Sequence, residues 1–198
     1  MPGYDDGTAD FYSREARSYT ARERRVDPSH LKKFMAALPP GGRVLELGCG
    51  GGDDSAAMIA AGFDVLPTDG IPAVARAAEC RLKRPVAVMG FEDLDARAAF
   101  DGVWASACLL HVPRARLAFV IGLVHRALKP AGVFYASFKA GEREGCDGFG
   151  RYYNYPTPEW LRRTFAPERW TSLNLTEESG SGYDALPTRW LHVTAVRP

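Results

Sequence analysis

The run Val44-Leu45-Glu46-Leu47-Gly48-Cys49-Gly50-Gly51-Gly52 constrains this chain more than any other. Arg43 to Leu47 is a short apolar stretch of strand type, and it meets a block of glycines. Glycines let the backbone turn sharply and let a ligand lie against it. A helix follows from Asp53 to about Ala61 and is closed by Gly62. Phe63 to Thr68 reads as a second strand, ending at Asp69-Gly70. Asp69 stands 21 positions after Gly48, where a carboxylate can accept both ribose hydroxyls of an adenosine. Strand, glycine turn, helix and a strand ending in an acid make a nucleoside-binding arrangement.

The rest of the chain repeats that alternation. Tyr12, Ala16 and Tyr19 recur at helical spacing, so the N-terminal arm carries a short helix. Asp27 and Pro28 open a second helix, with Leu31, Phe34, Met35 and Leu38 on one face. Pro39 to Gly42 stops it. Pro72 opens a helix through Ala73, Val74, Ala77 and Ala78. Pro85–Met89 and Phe100–Ala105 read as the third and fourth strands. Pro113 starts a longer helix, with Leu117, Ile121, Val124 and Leu128 on one face. Lys129 to Gly132 is a turn, and Val133–Phe138 the fifth strand. The stretch from Gly141 to Gly150 reads as a glycine-rich mobile loop. Thr157 and Pro158 open a helix ending near Phe165. Trp170–Thr176 and Trp190–Val196 form a closing hairpin.

This pattern predicts a doubly wound, Rossmann-like α/β fold: a seven-stranded, mostly parallel sheet with an antiparallel last strand and helices on both faces. A length of 198 residues suits one domain, with residues 1–26 as a helical arm or lid. In such sheets ligands bind outside the carboxyl ends of the strands, at the switch point. The loops after Leu47, Thr68, Met89, Ala105 and Phe138 therefore surround one crevice.

A formal net charge of +1 gives no reason to expect a nucleic-acid partner. No apolar run reaches the roughly 20 residues of a membrane helix, and the start of the chain lacks the basic and apolar regions of a signal peptide, so a cytoplasmic protein is expected. Cys49, Cys80, Cys108 and Cys146 show no CxxC spacing, so free thiols and no metal are expected.

A dinucleotide fingerprint starting at Gly48 would place its last glycine at Asp53. Asp53 and Asp54 suit the helix dipole but would repel a pyrophosphate at that helix end. S-adenosylmethionine (SAM) has no phosphate and carries an ammonium, so the residues favour SAM over NAD.

VLELGCGGG followed by Asp69 resembles motif I and its acidic partner in the class I SAM-dependent methyltransferases. FEDLD (Phe91 to Asp95), FDGVWASACLLHVP (Phe100 to Pro113) and ALKPAGVFYASF (Ala127 to Phe138) resemble further family segments in order and spacing. RYYNYPTPEWL, from Arg151 to Leu161, resembles the small bacterial tellurite-resistance-type branch. The fourth strand ends in ASACLL, without the Asn/Asp-Pro-Pro-aromatic motif of enzymes that methylate nucleobases or glutamine.

The resemblance implies a cofactor set. Gly48, Cys49 and Gly50 would line the methionine part of SAM through backbone groups, with Glu46 and Asp54 also in the cofactor-binding set. Asp69 would hold the ribose, and Gly70 and Ile71 the adenine. Phe91, Glu92 and Asp93 would flank the adenine's far edge. Ala105 and Ser106 would offer carbonyls to the amino group, with His111 near the methionine end. Tyr12, Tyr19 and Arg24 would cover the cofactor. The sulfonium of SAM is already an activated methyl donor, so the protein mainly aligns a small-molecule acceptor; S-adenosylhomocysteine (SAH) is the product. His111 is the candidate base, while Tyr155, Tyr152, Arg143 and Arg151 could orient an anionic or aromatic substrate. A non-catalytic SAM-binding module and an NAD-dependent oxidoreductase are the alternatives.

Overall fold

The structure, a computed structural model, describes residues 5–22 and 28–198. Helix α1 (Asp6–Ala21) starts where the Asp5 side chain accepts from the Thr8 N–H at 3.2 Å, which satisfies one orphan donor of the first turn. Helix α2 (Ser29–Ala36) follows. Asp27 and Arg24 lie outside the described residues.

Strand β1 (Arg43–Glu46) leads through the glycine turn to α3 (Asp53–Ala60) and β2 (Asp64–Asp69). Helix α4 (Pro72–Leu82) begins with the expected proline in its first turn. Strand β3 is only Ala87–Val88, shorter than expected. Strand β4 (Phe100–Ala105), α5 (Arg114–Ala127) and β5 (Leu128–Lys139) follow. A small pair β6 (Gly145–Cys146) and β7 (Tyr152–Tyr153) precedes α6 (Pro158–Phe165), β8 (Ser172–Ser181) and β9 (Pro187–Val196).

The main sheet has seven strands in the order β3-β2-β1-β4-β5-β9-β8. Its β3-β2-β1-β4-β5 part is parallel, and β9 runs antiparallel to both β5 and β8. The fold is therefore Rossmann-like α/β, with the chain reversing its direction of travel between β1 and β4. That reversal opens a crevice at the carboxyl ends of the strands.

Alternation along each strand covers both faces. Leu45, Val103, Phe134 and Ala136 point into the core under α5 and α6 with Leu117, Ile121 and Phe165. Their neighbours Val44, Trp104, Val133 and Tyr135 point into a second core with Leu31, Phe34 and Leu38 of the α2 region and Met58 of α3. A strand buried on both faces carries this near-continuous apolar run.

Two expectations need correction. Lys129 to Gly132 is not a turn between elements but a bulge inside β5: Leu128 pairs with Phe100 and Val133 with Gly102, so four residues oppose one. The stretch from Gly141 to Gly150 is not a bare loop, because Gly145 and Cys146 pair with Tyr153 and Tyr152. No helix among the described residues is long and apolar enough to cross a membrane.

Candidate active site

The turn after β1 is pinned from both sides. The Leu47 N–H donates to the Trp104 carbonyl at 2.9 Å and the Cys49 N–H to the Thr68 carbonyl at 2.8 Å. Gly48 has φ +62° and Gly50 φ +55°, a region that side-chain-bearing residues rarely adopt. A Cβ on Gly48 would lie 2.5 Å from the Cys108 Cβ, and one on Gly50 would lie 3.3 Å from the Tyr19 ring. Both glycines line a crevice that is open to solvent.

Asp69 sits at the end of β2, buried at the wall of this crevice. Its two carboxylate oxygens accept from the Gly50 N–H at 3.1 Å and the Ile71 N–H at 2.9 Å. Burial pushes its carboxyl up to about 6, against the pull of those two amides. Each oxygen keeps a lone pair for a further donor.

The crevice brings together Tyr12, Tyr19, Gly48, Gly50, Asp69, Gly70, Ile71, Phe91 and His111 from the sequence-derived set. Thr8, Val74, Ala107 and Cys108 line it too. Thr8 was legible from spacing, since it falls one helical turn before Tyr12. Ala107 and Cys108 follow the carboxyl end of β4, where the strand-end rule directs attention.

The remaining described members of the set do not line the crevice, and most of their side chains have partners of their own. Glu46 is buried and takes a hydrogen bond from the Ser55 hydroxyl. Asp54 accepts from the Trp104 indole N–H at 2.9 Å. The Cys49 side chain packs with Ala75, Ala78 and Val86 under α4, and burial pushes its thiol up. Glu92 makes a two-pronged pair with Arg116, at 2.9 and 2.7 Å. Asp93 accepts from the Gly90 N–H at 3.0 Å. Ala105 is buried in the main core, and Ser106 is partly buried and does not line the crevice. Tyr155 stacks on Tyr153 with ring centres 5.1 Å apart and packs against Gly141, away from the crevice lining. Arg143 is exposed.

Arg151 does not line the crevice either. Its guanidinium is buried and donates to Asp147 Oδ2 through Nε at 2.9 Å and Nη2 at 2.6 Å. Five rings surround it, those of Phe11, Tyr12, Phe149, Tyr153 and Tyr183, with centres 4.7 to 5.9 Å away. Its Nη1 reaches the Tyr12 hydroxyl at 3.4 Å. Burial alone would raise the Asp147 carboxyl, but the Arg151 guanidinium holds it below its ordinary value.

His111 connects this cluster to the crevice. Its Nδ1 lies 2.6 Å from the Tyr152 carbonyl, so Nδ1 carries the proton and Nε2 is left to accept. Nε2 lies 3.0 Å from the Tyr12 hydroxyl, which burial keeps protonated. Burial pushes His111 down to about 4. It is a neutral imidazole at neutral pH, orienting the arm's tyrosine.

The arm is held at both ends. The Tyr152 N–H donates to the Thr8 hydroxyl at 2.8 Å, and Arg81 donates to the carbonyls of Thr20 and Gly51 at 3.3 and 3.2 Å. Ala16 packs with Ile71 and Val74.

The chain is similar to several known methyltransferases. Residues 44–132 match the model of a methyltransferase domain family. An uncharacterised methyltransferase of Synechocystis is 36% identical over 100 residues, covering 50% of this chain and 47% of that protein. The ubiquinone biosynthesis O-methyltransferase of Xanthomonas axonopodis pv. citri is 34% identical over 120 residues, covering 57% and 49%. The chain thus spans about half the length of the curated relatives it matches. Among solved structures, the Burkholderia thailandensis 1,6-didemethyltoxoflavin-N1-methyltransferase, crystallised with 1,6-didemethyltoxoflavin and SAH, superposes with TM-score 0.72 at 20% identity, over 96% of this chain and 87% of its own. An N-methyltransferase of Bradyrhizobium japonicum superposes with TM-score 0.71 at 14% identity, over 98% and 100%. Over residues 44–132 the chain is similar to the methyltransferase-domain family, and the fold built around them is the one shared with these two solved structures.

Proposed function

We propose that this chain binds SAM in the crevice after β1, β2 and β4 and transfers its methyl group to a small-molecule acceptor. The observation that carries this is Asp69: a buried carboxylate at the end of β2, fixed by two backbone amides beside the glycine turn. The residues fit SAM in three further respects. Gly48 and Gly50 present bare backbone to the crevice in a conformation that residues with side chains rarely adopt. Ile71, Val74 and Phe91 offer an apolar wall of the kind a purine packs against. Among the described residues lining the crevice none is lysine or arginine, which suits a sulfonium and an ammonium and leaves a pyrophosphate without a counter-charge. That charge pattern disfavours the nicotinamide reading. The SAH named with the Burkholderia structure supports the same cofactor here.

Bound SAM supplies a methyl group already activated on sulfur. Asp69 holds the ribose hydroxyls, and Tyr12 and Tyr19 cover the crevice from the arm and exclude water. His111 acts on Tyr12 rather than on the acceptor, since a group pushed down to about 4 is a weak base at neutral pH. The acceptor is therefore a nucleophile that needs no strong base, such as an amine, a thiolate or a metalloid oxyanion. The likeness of Arg151–Leu161 to the tellurite-resistance-type branch supports screening the last of these. With Arg151 held by Asp147, recognition of an anionic acceptor does not fall to that guanidinium. Calorimetry with SAM, SAH and NAD tests the reading: micromolar SAM and SAH binding is expected, and NAD binding in their place overturns it. Turnover across acceptors then separates the enzyme from a non-catalytic SAM-binding module.

Two graded effects follow. Tyr12→Phe removes the hydroxyl's hydrogen bond to His111 and its long contact from Arg151; if about 1 kcal/mol of that loss falls on the positioning of the arm over the cofactor, SAM affinity should fall about fivefold with the fold intact. Unchanged affinity in calorimetry would exclude a role for the Tyr12 hydroxyl in positioning the arm. The second effect is on pH. Ribose hydroxyls donate to an ionised Asp69, so SAM affinity should be level above neutral pH. Below about 6 it should fall roughly tenfold per pH unit, because the buried carboxyl takes up its proton there. In stability the sign reverses. An unfolded aspartate titrates near 3.9, so the folded state holds this proton more tightly, and the contribution of Asp69 to stability declines as pH rises from about 4 through about 6. A SAM affinity that is flat from pH 5 to 7 would remove Asp69 from the binding set.

A further inference from the structure

A second cavity lies on the sheet face covered by α2, and it shares no lining residue with the SAM crevice. Its walls include His30 from α2, Glu178 from β8, and Tyr135 and His192 from β5 and β9. One nitrogen of each histidine and one oxygen of Glu178 all lie within 4.8 Å of one another. His30 Nε2 stands 3.0 Å and His192 Nε2 4.0 Å from the same carboxylate oxygen. The two imidazoles stack with centres 3.9 Å apart and planes 11° apart. Both Nε2 atoms thus face one anionic oxygen from the same side.

We propose that His30, His192 and Glu178 form a site for a late divalent transition metal such as Zn²⁺. Metal–nitrogen and metal–oxygen bonds of about 2.0–2.2 Å set tetrahedral ligand atoms roughly 3.3–3.5 Å apart. The two nitrogen-to-oxygen separations of 3.0 and 4.0 Å bracket that edge, and closing the site requires the imidazoles to splay from their 11° stack so that both in-plane lone pairs converge on one ion. Two imidazoles and a carboxylate are the donor set that borderline cations prefer over Mg²⁺ or Ca²⁺. His30 Nε2 and Glu178 Oε2 are within hydrogen-bond distance at 3.0 Å and His192 is not at 4.0 Å, so a cation at the centre takes the place of the proton between His30 and Glu178 and engages His192 as well. The other nitrogen of His192, Nδ1, lies 2.7 Å from the Tyr135 hydroxyl. Such an outer partner fixes the ring and leaves Nε2 as the ligating atom.

The placement gives the metal a defined job. The side chains of His30 and His192 are 16% and 14% exposed and that of Glu178 47%, so the site is walled on the protein side and open to solvent for a water ligand. His30 and Glu178 are 148 positions apart in the chain. A metal there ties α2 to the β8–β9 hairpin at the far edge of the sheet, a structural clip remote from methyl transfer.

The test uses tag-free protein stripped with EDTA and titrated with Co²⁺, whose visible d–d absorption reports ligation, followed by displacement with Zn²⁺. One Co²⁺ per chain is expected. The band should be absent in His192→Ala and in Glu178→Gln and retained when Cys80 and Cys146 are both changed to serine. Zn²⁺ at about 100-fold its dissociation constant should raise Tm by roughly 5–10 °C in the wild type and not in either site variant. SAM binding should be the same with and without metal. Should His192→Ala fail to fold, the half-exposed Glu178→Gln carries the comparison. No Co²⁺ band in the stripped wild type, or a band that survives in Glu178→Gln, overturns the proposal.

Discussion

Asp69→Ala should weaken SAM binding by about 100-fold or more. Two hydrogen bonds from ribose hydroxyls to a charged acceptor contribute roughly 1.5–3 kcal/mol each, and a factor of ten corresponds to about 1.4 kcal/mol. The same change leaves the N–H groups of Gly50 and Ile71 without their acceptors, so the glycine turn loosens as well as losing its ligand contact. Asp69→Asn separates the two effects. It restores one acceptor oxygen but turns an amide NH₂ toward one of the two N–H groups, so affinity should recover only in part. Calorimetry on both variants, with thermal unfolding alongside, is the measurement. An Asp69→Ala protein that binds SAM as the wild type does would mean that the acid at the end of β2 serves the turn alone.

Arg151→Met should lower thermal stability by roughly 10 °C. Replacing Arg151 strands the Asp147 carboxylate, whose side chain is only 9% exposed, and it removes the cation from between five rings. Breaking one partner of a buried ion pair costs about 3–5 kcal/mol, and 1 kcal/mol moves Tm by roughly 2–4 °C in a domain of this size. Removing both charges together, as Arg151→Met with Asp147→Leu, should recover most of that loss, because an apolar replacement of a whole buried pair is often neutral. SAM affinity should fall in the single variant too, since Arg151 holds the Tyr12 hydroxyl. A single variant that unfolds at the wild-type temperature would show that the cluster adds nothing to stability.

These two residues also mark what could be read in advance. Asp69 was legible because its role follows from local rules. Val44 to Leu47 must be a strand, the glycines after it must turn, and the next strand must end nearby with its acid at the switch point. Arg151 was legible as important but not in its role. Its partners are Asp147 across a four-residue loop and Tyr12 from a distant helix, and nothing in a string of letters says that a guanidinium will be boxed in by its own aromatics. The same holds for Asp54, taken by Trp104 from 50 positions away, and for Glu92, taken by Arg116. A charge is visible in sequence; the distant group that neutralises it is not. Strands β6 and β7 escaped because two residues each carry no periodicity. The bulge in β5 looked like a turn because Pro130 and Gly132 are turn residues wherever they stand.

The place of β9 has a consequence for how the protein is made. The last strand in the chain is not the last in the sheet: it is inserted between β5 and β8 and is bonded on both sides. During synthesis β8 emerges with no strand to join, and the edge of β5 stays bare. Both wait for residues 187–196 to leave the ribosome. Until then the nascent chain presents two unpaired edges, the condition that invites association with neighbouring chains. The polar sequence of β8, with Glu177 and Glu178 side by side, places charge on that waiting edge, the device by which edge strands resist pairing with other chains.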